Sequence, residues 1–368
     1  MAKNTTDDHR KLVFLFVLFV QVTTVLSQAK PIYIIAHMVN TISDINKYLD
    51  KGANGIETDV TFLQNGTARW ARHGFPCDCF RTCDKFQDII EHLQYIHEIT
   101  TSESSLYKNK MLLLFLDLKV SNLPADKKTA AGNDIARKLI ENIWQSGNAD
   151  RFFYVVLSIS HTTDSDVFKG VQETIGNENA ALLAEKIGWD VGLGDRLNNI
   201  DTMYKNLGIK NNRWQGDGVS NCINPLRGTI RLRSAVNNRK RETGYVDKVY
   251  RWTVDLSTSV RTMLSHDVDA IMTNHPERVK NVLQESQFRR RFRMALQSDN
   301  PWERTSAENT FLIFRAPPLF RFMSAMFEST SSLVEFIINS IQGRAFGGIL
   351  DNGLTFVQVF MDLFHKNL

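Results

Sequence analysis

Two acids spaced two residues apart are the first residues in this chain that could do chemistry. In Gly55-Ile56-Glu57-Thr58-Asp59-Val60 the acids alternate with apolar and β-branched residues, which reads as a strand. Strand side chains at i and i+2 share a face, so Glu57 and Asp59 point one way while Ile56, Thr58 and Val60 point the other. Leu116-Asp117-Leu118-Lys119 repeats the arrangement with Asp117 and Lys119. Carboxylates gathered inside a fold are costly unless something positive lies between them. Three oxygen ligands and a lysine suit a hard divalent cation. Mg²⁺ fits best, because it takes few protein ligands and keeps several waters. A purely structural ion-pair cluster is the alternative reading of the same four residues.

Two histidines give this acidic set a reactive context. His37 ends the apolar run Ile35-Ala36, and His73 stands in Arg72-His73-Gly74. A pair of imidazoles beside a bound cation can act as acid and base on a phosphodiester while the cation carries the phosphate charge. His92, His97, His161, His266, His275 and His365 fall in predicted helices or loops without such company and read as ordinary.

The elements that must position these groups alternate along the chain. Strands are expected at 31–37, 55–62, 111–120, 153–160, 180–185, 213–219, 248–255 and 269–274. Helices are expected at 43–51, 84–98, 127–145, 164–175, 228–238, 257–265 and 276–287, the first capped by Ser43. Strands as apolar as MLLLFLDLKV are expected in a parallel sheet covered on the outside and packed within. Eight strands with helices in most gaps predict an α/β fold, a (β/α)8 TIM barrel, whose active sites gather at the C-terminal ends of its strands. A doubly wound open sheet is the alternative. No glycine-rich phosphate loop of the dinucleotide or Walker type follows the first strand. Residues 66–85 interrupt the alternation after the second strand, where an insertion would stand at the barrel mouth.

The ends and the cysteines speak to location. Residues 1–27 carry Arg10-Lys11, the apolar run LVFLFVLFVQV and Val25-Leu26-Ser27, which together read as a signal peptide; a signal anchor is the alternative. Four cysteines, Cys77, Cys79, Cys83 and Cys222, behind such a leader argue for two disulfides in a secreted protein. Cys77 and Cys79 are too close to pair with each other, which leaves two pairings open; a zinc site is disfavoured by the spacing. Asn65-Gly66-Thr67 is a glycosylation sequon if the chain is secreted. Residues 28–302 form the expected catalytic unit. Residues 303–368 form a Phe-rich hydrophobic extension with no uninterrupted run of membrane-spanning length, expected to pack as amphipathic helices on the barrel or on lipid.

The chain has 368 residues, 43% hydrophobic and 23% charged, a globular composition, and its net charge of +4 suits approach to an anionic surface. The run Arg289-Arg290-Arg291 with Arg293 is too short to argue for nucleic acid and reads as a solvated or membrane-facing patch.

Taken together, His37, Glu57-x-Asp59, His73-Gly74 and Asp117-x-Lys119 resemble the site of the arthropod sphingomyelinase D / phospholipase D toxins, relatives of the glycerophosphodiester phosphodiesterases. The resemblance spans residues 31–302 and extends to Arg251-Trp252-Thr253-Val254-Asp255, Met272-Thr273-Asn274 and Asp299-Asn300-Pro301-Trp302. It implies that Glu57, Asp59 and Asp117 bind one Mg²⁺, that His37 and His73 are the catalytic pair, and that Lys119 contacts the phosphate. Tyr250 and Trp252 would line a choline pocket by cation–π attraction, and Asn274 would belong to the substrate-binding set. It also implies the pairings Cys77–Cys83 and Cys79–Cys222. The implied reaction is head-group release from sphingomyelin or lysophosphatidylcholine at a membrane surface, by attack of a substrate hydroxyl giving a cyclic phosphate, in a monomer. His37-Met38-Val39 departs from the His-Arg-Gly of the glycerophosphodiester enzymes and favours the toxin branch. A glycerophosphodiesterase and a non-catalytic lipid-binding barrel are the competing readings.

Overall fold

The computed structural model describes residues 29–305, apart from 76, 146–152 and 178–180. The expected leader, most of the C-terminal extension and His365 lie outside the described residues.

The chain opens with β1 (Lys30–Ala36), α1 (Ile42–Asp50) and β2 (Gly55–Phe62). The short strands β3 (Ala68–Ala71) and β4 (Gln87–Asp88) lead to α2 (Ile89–Thr101) and β5 (Leu113–Lys119). Then follow α3 (Ala125–Leu139), β6 (Tyr154–Ile159), α4 (Asp166–Asn177), α5 (Ala181–Ala184) and β7 (Ile187–Val191). The second half is α6 (Leu197–Asn206), β8 (Trp214–Gly218), α7 (Ile230–Arg239), β9 (Lys248–Trp252), α8 (Ser257–Ser265), β10 (Ala270–Thr273), α9 (Pro276–Leu283) and β11 (Phe292–Met294).

Eight strands pair in parallel in the order β7-β6-β5-β2-β1-β10-β9-β8, and a bridge between Trp189 and Arg213 joins the two ends. This is the (β/α)8 barrel. β3 and β4 form a small antiparallel ribbon on β2, and β11 pairs with the start of β1.

The period-2 geometry of strands divides the core in two. Ile32, Ile34 and Ala36 of β1 face the helices, whereas Tyr33 and Ile35 face inward, where they join Phe115, Val156, Trp214, Tyr250 and Met272. Tyr33, Phe115 and Tyr250 crowd around Trp214 with ring centroids 5.2–6.1 Å apart. The lower barrel is therefore filled largely by aromatic rings, and the acids and histidines of the mouth lie above them, towards the strand C-termini.

The foot of the barrel is closed by the Asp-Asn-Pro-Trp segment. Asp299 takes two hydrogen bonds from Arg293, both 2.6 Å, and the Trp302 indole N–H donates to the carbonyl of Glu185 at 2.7 Å. The Trp302 ring lies against Gly188, where any β-carbon would collide with it.

Several boundaries differ from those the sequence predicts. The strand expected at 180–185 is not found among its described residues: Ala181–Ala184 is a short helix and the strand is Ile187–Val191. Ala-Leu-Leu-Ala is a strong helix-forming run, and the real strand is disguised by Gly188 and Asp190, one demanded by Trp302 and the other pointing inward. Helix α6 was not predicted because only Ile200, Met203 and Tyr204 mark its buried face. The first helix is capped by Thr41, whose hydroxyl accepts from the Asp44 N–H, rather than by Ser43. Helix α2 begins after Asp88, which caps it, so Phe86 lies off the helix and packs edge-on against Trp70. α3 continues into a wide π turn at Ile140–Trp144.

Helices α3 and α4 touch backbone to backbone. A methyl group at Gly132 would strike the carbonyl oxygen of Val167, and one at Gly170 the carbonyl oxygen of Thr129. Forced overpacking of this kind costs about 1–3 kcal/mol. Gly132→Ala is therefore expected to lower unfolding free energy by about that much in urea titration, despite the better helix propensity of alanine; an unchanged midpoint would show that the helix pair yields without cost.

Candidate active site

The sequence places Glu57, Asp59, Asp117 and Lys119 on inward faces, and the sheet register brings them together. β2 and β5 are neighbours, with Asp59 opposite Asp117 and Glu57 opposite Phe115. Carboxylate oxygens of Glu57, Asp59 and Asp117 lie within 4.8 Å of one another. His37 at the end of β1 brings its Nε2 to 3.9 Å from Glu57 Oε2, and His73 beyond β3 brings its Nε2 to 4.0 Å from Asp59 Oδ1. Lys119 Nζ lies 2.8 Å from Asp59 Oδ1 and 2.6 Å from Asp117 Oδ2. All these residues except Asp59, which is wholly buried beneath, line one cavity of about 560 Å³ at the barrel mouth.

Fixed donors hold the acids. Met38, with φ of +54°, points its backbone N–H at Glu57 Oε2 (2.7 Å). Asn40 donates to Asp59 Oδ2 (2.8 Å) and accepts from the Asp59 backbone N–H (2.9 Å). Each carboxylate thus keeps its second oxygen for another partner. Asp59 Oδ1 is buried and accepts no well-aligned hydrogen bond, meeting Lys119 only as an ion pair.

The electrostatics are those of a site that wants positive charge. Burial, and then the charge of Asp59, push the Glu57 carboxyl up to about 8. Burial also opposes ionisation of Asp59, but the charges of Lys119 and His73 and the Asn40 hydrogen bond hold it well below the usual carboxylate range. Lys119 is raised: burial works against its charge, and Asp117, Asp59 and Glu57 outweigh it. A cluster of all-oxygen donors, with a buried oxygen that accepts no well-aligned hydrogen bond and a carboxyl too crowded to ionise freely, fits a hard divalent cation.

A second tier of residues, not read from the sequence, orients His37. Asp78 Oδ2 lies 2.8 Å from His37 Nδ1. Asp78 is itself held by Asn274 Nδ2 (2.8 Å) and the Asn221 N–H (3.1 Å). Burial alone would lower the His37 imidazole; the charge and hydrogen bond of Asp78, helped by Glu57 and Asp59, lift it to about 9. Burial opposes ionisation of Asp78 too, but His37 and the two asparagines bring it to about 2. Asp78 lies between two half-cystines, in a loop closed by Cys77–Cys83 and tied to the β8 segment by Cys79–Cys222. The flanking cysteines were the signal that this acid is held in place. Arg81 in the same loop donates to Asn274 Oδ1, to the Tyr48 hydroxyl and to the carbonyls of His37 and Met38.

His73 is oriented differently. Its Nδ1 lies 2.8 Å from the carbonyl oxygen of Gly74. A carbonyl only accepts, so Nδ1 carries a proton, and Nε2 faces Asp59.

Tyr250 and Trp252 form the far wall of the cavity. The Tyr250 hydroxyl donates to Asp190 Oδ2 (2.8 Å), which also accepts from Ser158 (2.8 Å), and the Trp252 indole donates to the Gly192 carbonyl (3.1 Å). Asn274 does not line the cavity; it stands behind His37, bridging Asp78 and Asp255. Asn65 lies away from the site in an exposed turn.

Comparison with known proteins agrees with this geometry. Residues 27–302 match the family model described as dermonecrotic toxin SPH. A dermonecrotic toxin of Ixodes scapularis is 45% identical over 285 residues, covering 76% of this chain and 78% of that protein. A dermonecrotic toxin of Loxosceles boneti is 41% identical over 276 residues, covering 75% and 99%. The chain belongs to the dermonecrotic toxin family. It is an enzyme of the phospholipase D type, one that cleaves phosphodiesters. In this family member the acids, imidazoles and disulfide-bonded loop described above occupy a single mouth.

The Asp78–His37 pair makes a pH-dependent prediction. The raised imidazole stabilises the fold fully below its unfolded value of 6.5, and that contribution fades as pH rises through about 9. The depressed Asp78 contributes above 3.8 and loses its effect as pH falls through about 2. In metal-free protein, Asp78→Asn should therefore cost stability most between these two limits, and should drop the His37 pKa below 9 in an NMR titration. An unmoved imidazole pKa would remove Asp78 from this role.

Proposed function

We propose that this chain is a Mg²⁺-dependent phospholipase D that releases choline from sphingomyelin and lysophosphatidylcholine. The observation that carries the reading is the convergence of Glu57, Asp59 and Asp117 with both imidazoles and Lys119 on one cavity. Glu57, Asp59 and Asp117 would hold the ion. When bound, Mg²⁺ neutralises charge on the phosphodiester oxygens and so favours attack at phosphorus.

The remaining chemistry belongs to the side chains. His73, acting in its neutral form through Nε2, takes the proton from a hydroxyl of the substrate. That oxygen bonds to phosphorus as the bond to the choline oxygen breaks. His37, kept protonated by Asp78, gives its Nε2 proton to the departing choline oxygen. The products are a cyclic phosphate and choline. Lys119 stands beside the acids as a fixed positive charge for the phosphate. Tyr250 and Trp252 offer aromatic faces, with the Asp190 carboxyl behind them, a combination suited to a quaternary ammonium group. A substrate for this route needs a free hydroxyl close to the phosphate, which both named lipids have.

The same reading puts the protein outside the cell. It rests on the leader expected at 1–27 and on two disulfides, which persist in oxidising compartments. Asn65, exposed in its turn, would then be open to glycosylation. The same reading has the protein act as a monomer at a membrane surface.

Choline release from sphingomyelin vesicles tests the proposal. Activity should vanish on chelation and return with Mg²⁺. His37→Ala and Glu57→Ala should each lower turnover by about 10²–10⁴-fold without changing the fold by circular dichroism. Undiminished release by either variant defeats the site assignment, and equal turnover of a deacylated glycerophosphodiester would reassign the substrate class.

A further inference from the structure

Among the described residues, ten large apolar side chains are exposed, and they are unevenly placed. Leu63, Phe75, Phe86 and Ile90 fall between the end of β2 and the first turn of α2. Ile223, Leu226 and Ile230 fall between the end of β8 and the start of α7. Both segments rise from strand C-termini, so seven of the ten stand on the face that carries the catalytic cavity. The other three, Leu106, Leu182 and Leu296, are single residues on connections at or near the foot of the barrel. Isolated exposed leucines need no explanation, whereas a one-sided cluster of large apolar groups marks an interaction surface.

The two segments are one mechanical unit. Cys79–Cys222 joins them, and Asn221 hydrogen-bonds across to Asp78 and Cys79. The most exposed members are Phe75 at 75%, Ile230 at 74% and Leu226 at 64%. Phe75 and the Leu226–Ile230 stretch therefore flank the cross-link, and Ile223 and Cys222 themselves line the cavity. The charge is one-sided as well: between Asp217 and Glu242 the chain has no acid, and while Arg227 and Arg231 are tied to Asp217 (2.7 and 3.5 Å), Arg233 is exposed. Exposed Arg233 lies one helical turn from Ile230, on the same side of α7.

We propose that this disulfide-joined rim is a lipid-docking platform that seats the barrel mouth-down on a phospholipid surface. Phe75, Leu226 and Ile230 enter the interface, and Arg233 meets a lipid phosphate. Insertion of apolar side chains combined with basic residues at the phosphate level is the general chemistry of interfacial binding. A flat acidic protein would satisfy Arg233 but leave Phe75, Leu226 and Ile230 without a partner. The inference rests on the lipid-substrate reading, because a mouth-down pose places a head group at the acidic cluster.

The test compares the wild-type chain, the Phe75→Ser/Leu226→Ser/Ile230→Ser variant and the foot-side Leu106→Ser/Leu182→Ser/Leu296→Ser variant. Binding is measured by co-sedimentation with equimolar sphingomyelin–phosphatidylcholine vesicles in EDTA, so that turnover does not enter. Turnover is measured separately, with Mg²⁺, on a short-chain choline lysophospholipid kept monomeric. The rim variant should lose vesicle affinity on the order of a hundredfold while its turnover of the monomeric lipid is unchanged; the foot-side variant should bind as the wild type does. As a second readout, Phe75→Trp should add blue-shifted emission when vesicles are present. Equal vesicle binding by rim variant and wild type, or equal loss in both variants, overturns the proposal. So does absence of wild-type binding, which would leave the rim to a protein partner. Wild-type binding without turnover of any choline lipid overturns the functional reading while leaving the docking surface standing.

Discussion

The mouth of this barrel is organised by electrostatic repulsion. Register alone puts Asp59 of β2 across from Asp117 of β5, and Glu57 one inward position below, so three carboxylates crowd one spot above a floor of aromatic rings. Nothing in that floor can screen them, and the interior offers little water. Positive charge has to come from neighbouring elements, and it does: Lys119 from β5, His73 from beyond β3, His37 from β1. The same crowding that makes Glu57 reluctant to ionise makes the cluster receptive to a divalent cation. Metal binding and the protonation of His37 are thus two responses to one constraint.

Each later feature of the mouth serves to keep that arrangement from relaxing. Left alone, acids would turn away from one another and imidazoles would swing. Met38 and Asn40 fix one oxygen of Glu57 and Asp59, respectively. Asp78 fixes His37, and a loop bound by two disulfides fixes Asp78. Arg81 ties the loop to the carbonyls at the top of β1, so the imidazole and its orienting acid cannot drift apart. Preorganisation of this sort keeps charged groups aimed before any substrate arrives.

Much of this was legible in the sequence because strand periodicity is a strong signal. Glu57-x-Asp59 and Asp117-x-Lys119 declare their shared faces, and eight apolar runs between helical patterns declare a barrel. The misplaced strand at 180–185 and the missing α6 show where periodicity fails: short elements whose apolar positions are few, or whose key residues serve tertiary contacts such as Gly188 beneath Trp302. Asp78, Asn40 and Asp190 were invisible for a different reason. Their meaning lies in partners 41, 19 and 60 residues away, and no local pattern encodes such a distance. Asn274 shows the converse, a residue whose motif was visible but whose position, behind His37 rather than in the cavity, only the packing reveals.

The stitching of residues 299–305 under the barrel gives the molecule a polarity. Trp302 is sewn to Glu185 and Gly188, Arg304 to Asp247 and to the Arg241 and Gly244 carbonyls, and Thr305 to Lys248 and Asp269, all at the foot. Residues 299–305 therefore lie on the pole opposite the catalytic mouth. Fastening and chemistry are thus assigned to opposite poles, so the two ends of the barrel can evolve or be engineered with little mutual interference.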